Sequence, residues 1–255
     1  MAPTIMAPVL AATGLICRFG GLVATNDVSL SLQAGAREAL IGPNGAGKTT
    51  LINLLSGTIR ADSGRIEFAG ADITRLRPDQ RVRRGLVRTF QINQIFAAMS
   101  PRRSVVLAAS QAAGLGTHAW RPLGSDAAIA AEAETILQRF HLADVADTAA
   151  GTLPYGKQRL LEIAIAIACR PRVLLLDEPA AGVPEGEREE ILDGVAALPE
   201  DVAVLLIEHD MDLVFRFARR ITVLAAGAVL ASGTPAEIAA DPRVREVYLG
   251  EAEHD

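Results

Sequence analysis

Residues Gly42–Thr50 form a glycine-rich segment that ends in a lysine and two threonines. The segment fits the pattern G-x-x-x-x-G-K-[ST], which wraps nucleotide phosphates, although a bare glycine-rich turn could also match it. Glycines let backbone N–H groups point at phosphate oxygens, Lys48 supplies a cation, and Thr49 offers a hydroxyl to Mg²⁺. We therefore predict that the whole segment contacts a nucleotide: Gly42, Pro43, Asn44, Gly45, Ala46, Gly47, Lys48, Thr49 and Thr50.

A pair of acids, Asp177 and Glu178, follows the apolar run Val173–Leu176. An apolar strand that ends in two acids places both carboxylates at the carboxyl edge of a sheet, where ligands bind. We expect Asp177 to hold Mg²⁺ through water and Glu178 to polarise the attacking water. The alternative is a strand followed by an acidic turn at the start of a helix.

The elements around the phosphate segment fit this chemistry. Glu38–Ile41 reads as a short buried strand, and Thr49–Leu55 reads as a helix. The positive N-terminal end of that helix would face the phosphates.

The rest of the chain alternates strand and helix, which predicts an α/β fold around a parallel sheet. Continuous apolar runs indicate strands that are buried on both faces. Further strands are predicted at Leu10–Phe19, Asp27–Leu32, Gly64–Phe68, Val173–Leu176, Val202–Ile207, Ile221–Leu224 and Ala228–Ala231. Helices are predicted at residues 103–114, 126–140, 158–169 and 185–197, with short helices at the C-terminus.

Composition narrows the classes of function. The net charge of −5 and the pI near 5.5 argue against nucleic acid as the main partner. Cys17 and Cys169 lie in apolar segments without metal-type spacing and are expected to be buried free thiols in a reducing compartment. The uncharged stretches 1–17 and 104–120 are broken by polar residues, glycine or proline, so we expect a cytoplasmic protein that meets membranes only through a partner.

Leu153–Arg159 supplies the motif that identifies a family. Its glycine lies at the start of a predicted helix, between the phosphate segment and the acid pair. At this place the chain resembles the ATP-binding cassette (ABC) ATPases, whose signature is L-S-G-G-Q. In that family the signature of one subunit caps the γ-phosphate held by the phosphate loop of a second subunit. The resemblance implies that Tyr155, Gly156 and Lys157 contact the nucleotide.

Three single residues gain a role from the same resemblance. Gln91, in Arg88–Gln91, matches the loop glutamine that senses Mg²⁺ and the attacking water. His209 matches the switch histidine that contacts the γ-phosphate, and Phe19 matches the aromatic residue that stacks on adenine. Taken alone, each could equally be a solvated or core residue.

The resemblance implies an architecture for nearly the whole chain. It is a P-loop NTPase (RecA-like) parallel-sheet core with an N-terminal antiparallel β subdomain and an inserted helical signature subdomain. The single nucleotide-binding domain would span residues 8–250. The core would take residues 8–90 and 160–232, the helical subdomain 91–160, and a helical tail 233–250.

Within the family, finer details are similar to the ATPases of branched-chain amino acid importers, the LivG-like group. They are Arg18–Gly21, Arg88–Gln91, the Pro-Tyr-Gly form of the signature, Ala180–Gly182 and the tail Asp241–Gly250.

The chain also departs from the family pattern. Pro154 replaces the signature serine, so its hydroxyl contact to the γ-phosphate is absent, and Lys157 replaces the glutamine and could add charge near the phosphate. Pro184 stands where an acid or asparagine is expected, which puts a direct contact across the subunits in doubt. Met99–Arg103 replaces an apolar-acidic segment near the membrane partner, so docking specificity could differ.

The resemblance implies an ATP-hydrolysing importer subunit that uses ATP and Mg²⁺. Its partners would be a second ABC ATPase, either itself or a sister, and membrane permease subunits, with a substrate-binding protein as an indirect partner. It would lie on the inner face of the cell membrane. The alternatives are a soluble ABC ATPase of DNA repair or translation, an ABC subunit for lipid or metal-cluster trafficking, a P-loop kinase or GTPase, and a non-hydrolysing cassette.

Overall fold

The computed structural model describes residues 7–89, 95–115 and 126–249. Its backbone contacts divide the chain into two compact units. The first contains the described residues up to Leu86, Arg172–Leu176 and those from Glu200 onward, and the second contains Val87–Pro171 and Asp177–Pro199. The functional domain limits given above remain a prediction.

The strands of the described residues are numbered in chain order. They are β1 (Leu10–Phe19), β2 (Leu22–Leu32), β3 (Arg37–Ile41), β4 (Ser63–Phe68), β5 (Ala71–Asp72), β6 (Leu86–Arg88), β7 (Val173–Asp177), β8 (Ala203–Ile207), β9 (Arg220–Ala225) and β10 (Ala228–Gly233).

The helices are numbered in the same way. They are α1 (Lys48–Ser56), α2 (Pro78–Val82), α3 (Pro101–Ala112), α4 (Ala127–Arg139), α5 (Tyr155–Ala168), α6 (Glu185–Ala196), α7 (Met211–Phe217), α8 (Pro235–Ala240) and α9 (Pro242–Leu249).

Every predicted strand and helix is present, β1 with the predicted bounds and the others with shifted ends. The largest difference is β2, which begins at Leu22 rather than Asp27. Its first half is largely exposed, even at the apolar Leu22 and Val23, but it pairs with β1, where Cys17 lies opposite Thr25. Pairing along the hairpin therefore extends a strand that local composition does not indicate. The short elements β5, β6 and α2 were not predicted.

Two sheets confirm the α/β fold class. An antiparallel sheet has the strand order β2-β1-β4-β5, and a six-stranded sheet has the order β10-β9-β3-β8-β7-β6. Strand β3 runs parallel to both neighbours, with Leu40 opposite Ile207 of β8 and Ile41 opposite Val223 of β9. Strands β7 and β8 are buried along their whole length, as expected for a parallel sheet covered on both faces.

The first unit is built around helix α1. Four of its nine residues, Leu51, Ile52, Leu54 and Leu55, are buried. They belong to one apolar cluster with side chains from both sheets, such as Leu15 of β1 and Leu205 of β8. This core fixes the helix that starts at the phosphate segment.

The second unit is mainly helical. Helix α3 contacts α4 and α5, and α5 contacts α6. The approach of α5 and α6 is close, since a Cβ atom at Gly194 would lie 2.6 Å from the Cδ2 atom of Leu160. Phe140, just after α4, is fully buried in this unit.

Two other expectations concern membranes and thiols. None of the described helices combines the length and apolar character that a bilayer-spanning helix needs. Both cysteines are free thiols, with Cys17 buried and Cys169 half-buried. Burial raises the pKa of each thiol, so both stay protonated at neutral pH.

A buried arginine closes the C-terminal end of α1. Arg81 of α2 is 2% exposed. Its guanidinium donates to the carbonyls of Leu54 at 2.8 Å and Leu55 at 2.6 Å, and also to those of Leu76 and Thr74. The last carbonyls of a helix have no partner within it, and a cation there also complements the helix dipole. Burial lowers the pKa of Arg81 to about 10, so the side chain remains charged at neutral pH.

Glu38 is an acidic residue in β3, an inner strand of the six-stranded sheet. It lies opposite Arg220 in the β3–β9 pairing and is half-buried. Burial raises the pKa of Glu38 to about 7, while the charge of Arg220 acts in the opposite direction. The folded protein thus binds a proton at Glu38 more tightly than the unfolded chain does, and stability falls as the pH rises from about 4.5 to about 7.

Replacing Arg81 by methionine tests the role of its hydrogen bonds. The Arg81→Met variant keeps much of the side-chain volume but leaves buried carbonyls without donors, which costs about 2–4 kcal/mol of unfolding free energy. We expect the melting temperature to fall by several degrees. Arg84→Met is the control, because Arg84 is exposed and its side chain donates to the carbonyl oxygen of its neighbour Gln80. Equal melting temperatures for the two variants would contradict this assignment.

Replacing Glu38 by glutamine tests the pH dependence. The amide is neutral at every pH, so the Glu38→Gln variant avoids the cost of a half-buried charge. We expect wild type and variant to melt together near pH 4.5, and the variant to melt at a higher temperature at pH 8. Exposed Glu246→Gln should give no such pH-dependent gain. A constant difference between wild type and Glu38→Gln at all pH values would refute the raised pKa.

Candidate nucleotide-binding site

The phosphate segment connects the end of β3 to the start of α1, as predicted. All three of its glycines have positive φ angles, 151° at Gly42, 77° at Gly45 and 101° at Gly47. A Cβ atom at Gly42 would lie 2.2 Å from the carbonyl oxygen of Leu224, and one at Gly47 would lie 2.3 Å from that of Ala24. Both positions therefore require glycine for conformation and for space.

Lys48 is held over its own loop. Its ammonium nitrogen donates to the carbonyl oxygens of Gly42 at 2.5 Å and Pro43 at 2.9 Å. These bonds hold the cation against the first two residues of the phosphate segment. Thr49 and Thr50 are the next two residues of α1, and Thr49 is exposed.

His209 lies at the same sheet edge of the first unit. Ile207, the last residue of β8, pairs with Leu40 of β3, and His209 follows β8 after one residue. Its side chain is 69% exposed. The adjacent Glu208 is 1% exposed, and its carboxylate accepts hydrogen bonds from the backbone N–H groups of His209 at 2.9 Å and Asp210 at 3.2 Å. Glu208 thus fixes the turn that presents His209, a role that the motif alone did not indicate.

The acid pair has two different environments within the second unit. Asp177, the last residue of β7, is 4% exposed and forms an ion pair with Arg88 at 2.7 Å. The hydroxyl of Thr89 accepts a hydrogen bond from the backbone N–H of Asp177 at 3.3 Å. Glu178 has a φ angle of 47°, a left-handed conformation that is uncommon outside glycine and concentrates at functional sites.

The signature segment begins helix α5, and its side chains contact other parts of the second unit. The hydroxyl of Tyr155 donates to the carbonyl of Ala181 at 3.4 Å. The ammonium of Lys157 lies 2.6 Å from the carbonyl oxygen of His141 and 3.6 Å from a carboxylate oxygen of Glu190. The charge that could have served a phosphate is thus engaged within its own unit.

The backbone of Gly156 is engaged as well. Its N–H donates to the carboxylate of Glu187 on α6, with an N–O distance of 2.7 Å. The sequence pattern did not single out Glu187.

The remaining predicted residues are Phe19 and Gln91. Phe19 ends β1 and is 53% exposed, so its ring is accessible for stacking. Gln91, together with Phe90, lies outside the described residues. The roles of all these side chains toward a nucleotide stay predictions.

Comparisons with known proteins agree with these observations. The family model described as "ABC transporter" matches residues 25–181. A second, described as "Branched-chain amino acid ATP-binding cassette transporter", matches residues 228–254.

Two relatives match the chain over nearly its whole length. The chain is 42% identical to the high-affinity branched-chain amino acid transport ATP-binding protein BraF of Pseudomonas aeruginosa, over 96% of this chain and 99% of that protein. It is 41% identical to the corresponding protein LivG of Escherichia coli K12, with the same coverage.

The fold is also similar to that of a solved structure. An ATP-binding cassette of an ABC transporter, in its ADP conformation, superposes with a TM-score of 0.82 at 30% identity. The match covers 96% of this chain and 100% of that structure. The chain therefore belongs to the ATP-binding proteins of the ABC transporter family, in the branched-chain amino acid transport group, and is an ATPase.

Proposed function

We propose that this chain is the ATP-hydrolysing subunit of an ABC importer and couples hydrolysis to the uptake of branched-chain amino acids or related small solutes. The observation that carries the proposal is its likeness, over 96% of its length, to relatives named for branched-chain amino acid transport. The match of residues 228–254 to a model named for the same transporters supports the substrate class independently of the nucleotide motifs.

ATP binding is assigned to the phosphate segment, with Phe19 stacking on adenine. Lys48 and the backbone N–H groups of Gly42–Thr50 bind the phosphates. Glu178 polarises the attacking water, and His209 contacts the γ-phosphate. Tyr155, Gly156 and Lys157 contribute to the site of the opposite subunit.

Mg²⁺ is assigned to Thr49 and Asp177, the latter partly through water, and to Gln91. A hydroxyl and a carboxylate are the hard oxygen ligands that Mg²⁺ prefers, so the residues fit the ion. In the described ranges no cluster of three or more His, Cys, Asp or Glu could hold a metal ion. Mg²⁺ needs no such cage, because one or two protein ligands and substrate phosphates suffice. When bound, the ion offsets the negative charge of the phosphates.

The proposed partners follow from the signature. A second ABC ATPase, either this chain or a sister, would complete each ATP site. The closing and reopening of this ATPase dimer would drive the membrane permease subunits. The chain would then lie on the cytoplasmic face of the membrane, with a substrate-binding protein acting indirectly. The rival functions in DNA repair, translation, and lipid or metal-cluster trafficking find no support among the named relatives described above.

The Glu178→Gln variant tests the hydrolysis mechanism. Glutamine keeps the shape of the side chain but cannot act as a base, so turnover should fall by at least about 100-fold. Binding of ATP, measured by isothermal titration, should stay within about threefold of wild type, since Glu178 is assigned to the attacking water rather than to a contact that holds ATP. The matched control is exposed Glu200→Gln, which should hydrolyse ATP normally. Hydrolysis by Glu178→Gln at the wild-type rate would remove Glu178 from this role.

Uptake by the reconstituted transporter tests the substrate. The chain would be co-expressed with candidate permease subunits and a candidate second cassette, and the complex would be placed in vesicles with a candidate binding protein. ATP-dependent accumulation of labelled leucine, isoleucine or valine is expected, and the Glu178→Gln chain should abolish it. The proposed substrate class would be excluded if the vesicles hydrolysed ATP but accumulated neither these three amino acids nor related small solutes.

A further inference from the structure

The N-terminus of the signature helix lacks an ordinary cap. Pro154 occupies the N-cap position of α5, and its side chain accepts no hydrogen bond there. The first N–H groups of a helix have no partner inside it and are normally satisfied by a Ser, Thr, Asp or Asn side chain at that position. Because proline has no such group, the first turn is left to other acceptors, from water or from another part of the chain.

Glu187 supplies one such acceptor from a different helix. Its Oε2 atom lies 2.7 Å from the backbone nitrogen of Gly156, the second residue of α5. The carboxylate stands directly against the glycine, since a Cβ atom at Gly156 would lie 2.5 Å from the same oxygen. A negatively charged oxygen thus occupies the position that the positive end of a helix favours for anions.

We propose that Glu187 is an internal competitor for the γ-phosphate that the signature of this chain binds on the opposite subunit, so that its carboxylate must leave Gly156 before the phosphate can bind there. This inference rests on the proposed function, in which the N–H of Gly156 donates to that phosphate. One N–H group cannot make a short bond to two anionic oxygens at once, and two anions at that distance repel each other.

Neighbouring contacts tie the competitor to the signature. Tyr155 bonds to Ala181, and Lys157 lies near Glu190 on the same helix as Glu187. The first turn of α5 and the segment around α6 are therefore held together at three successive residues. The Gly156–Glu187 bond is the one of the three that occupies a predicted phosphate donor of the backbone.

The first experiment uses Glu178→Gln as the background, because this variant should bind ATP without consuming it. The ATP concentration for half-maximal dimerisation is measured by analytical ultracentrifugation. Adding Glu187→Gln removes the competing charge and should lower that concentration by roughly three- to tenfold. Glu185→Gln, the same charge change at an exposed position of α6, is the matched control and should not shift it. An unchanged or higher concentration with Glu187→Gln overturns the proposal.

A second experiment needs neither nucleotide nor partner. The amide resonance of Gly156 is followed by NMR while inorganic phosphate is titrated against chloride of equal ionic strength. In Glu187→Ala the resonance should move with a saturable dependence on phosphate, whereas in wild type and Glu185→Gln it should move little. Equal responses in all three proteins mean that Glu187 is a helix cap only, and the proposal fails.

The two experiments separate this inference from the proposed function. If Glu178→Gln does not dimerise in ATP, pairing of two copies of this chain is excluded, and the phosphate titration still decides whether Glu187 competes. The carboxylate has a structural role alone if Glu187→Ala melts at a lower temperature and responds to phosphate as wild type does, and if Glu187→Gln leaves dimerisation unchanged.

Discussion

Close backbone packing around the phosphate segment is the constraint on which the proposed phosphate-binding part of the first unit depends. Gly42 lies against the carbonyl of Leu224, and Gly47 lies against that of Ala24, with no space for a side chain at either position. The turn between β9 and β10 joins the same assembly, because Gly227 donates to the carbonyl of Ala46 at 3.0 Å and accepts from Asn26 at 2.7 Å. Strands from both sheets therefore determine the shape of a loop that looks self-contained in the sequence.

Charged side chains form hydrogen bonds with backbone groups that have no other partner within their own helix or strand, at the ends of several elements. Arg81 satisfies carbonyls at the end of α1, Glu208 satisfies N–H groups after β8, and Glu187 does so at the start of α5. A bond between a charged group and the backbone is stronger than one between neutral groups, so single residues can fix a terminus. The cost of burying such a charge is lowest where a helix or turn presents several backbone dipoles of the right sign.

Much of the fold could be predicted because its signals are local. The buried strands β7 and β8 read as continuous apolar runs, and the phosphate segment carries its pattern in nine consecutive residues. The residues that were missed act over long distances in sequence. Arg81 bonds to carbonyls 26 and 27 residues away, and Glu187 lies 31 residues from Gly156. No spacing rule links such partners, since their contact exists only after the helices have packed.

The two adjacent acids show how position separates the chemistry of identical groups. Asp177 is buried, ends a strand and is paired with Arg88, which fixes the direction of its carboxylate. Glu178 is half-buried, follows the last residue of β7 and has a left-handed backbone conformation. A carboxylate held in a fixed direction suits a metal ligand, and the next acid, which lies beyond the end of the strand, suits a group that must act on water. Neighbouring carboxylates in different environments can thus take different parts in one reaction, as the proposed mechanism requires.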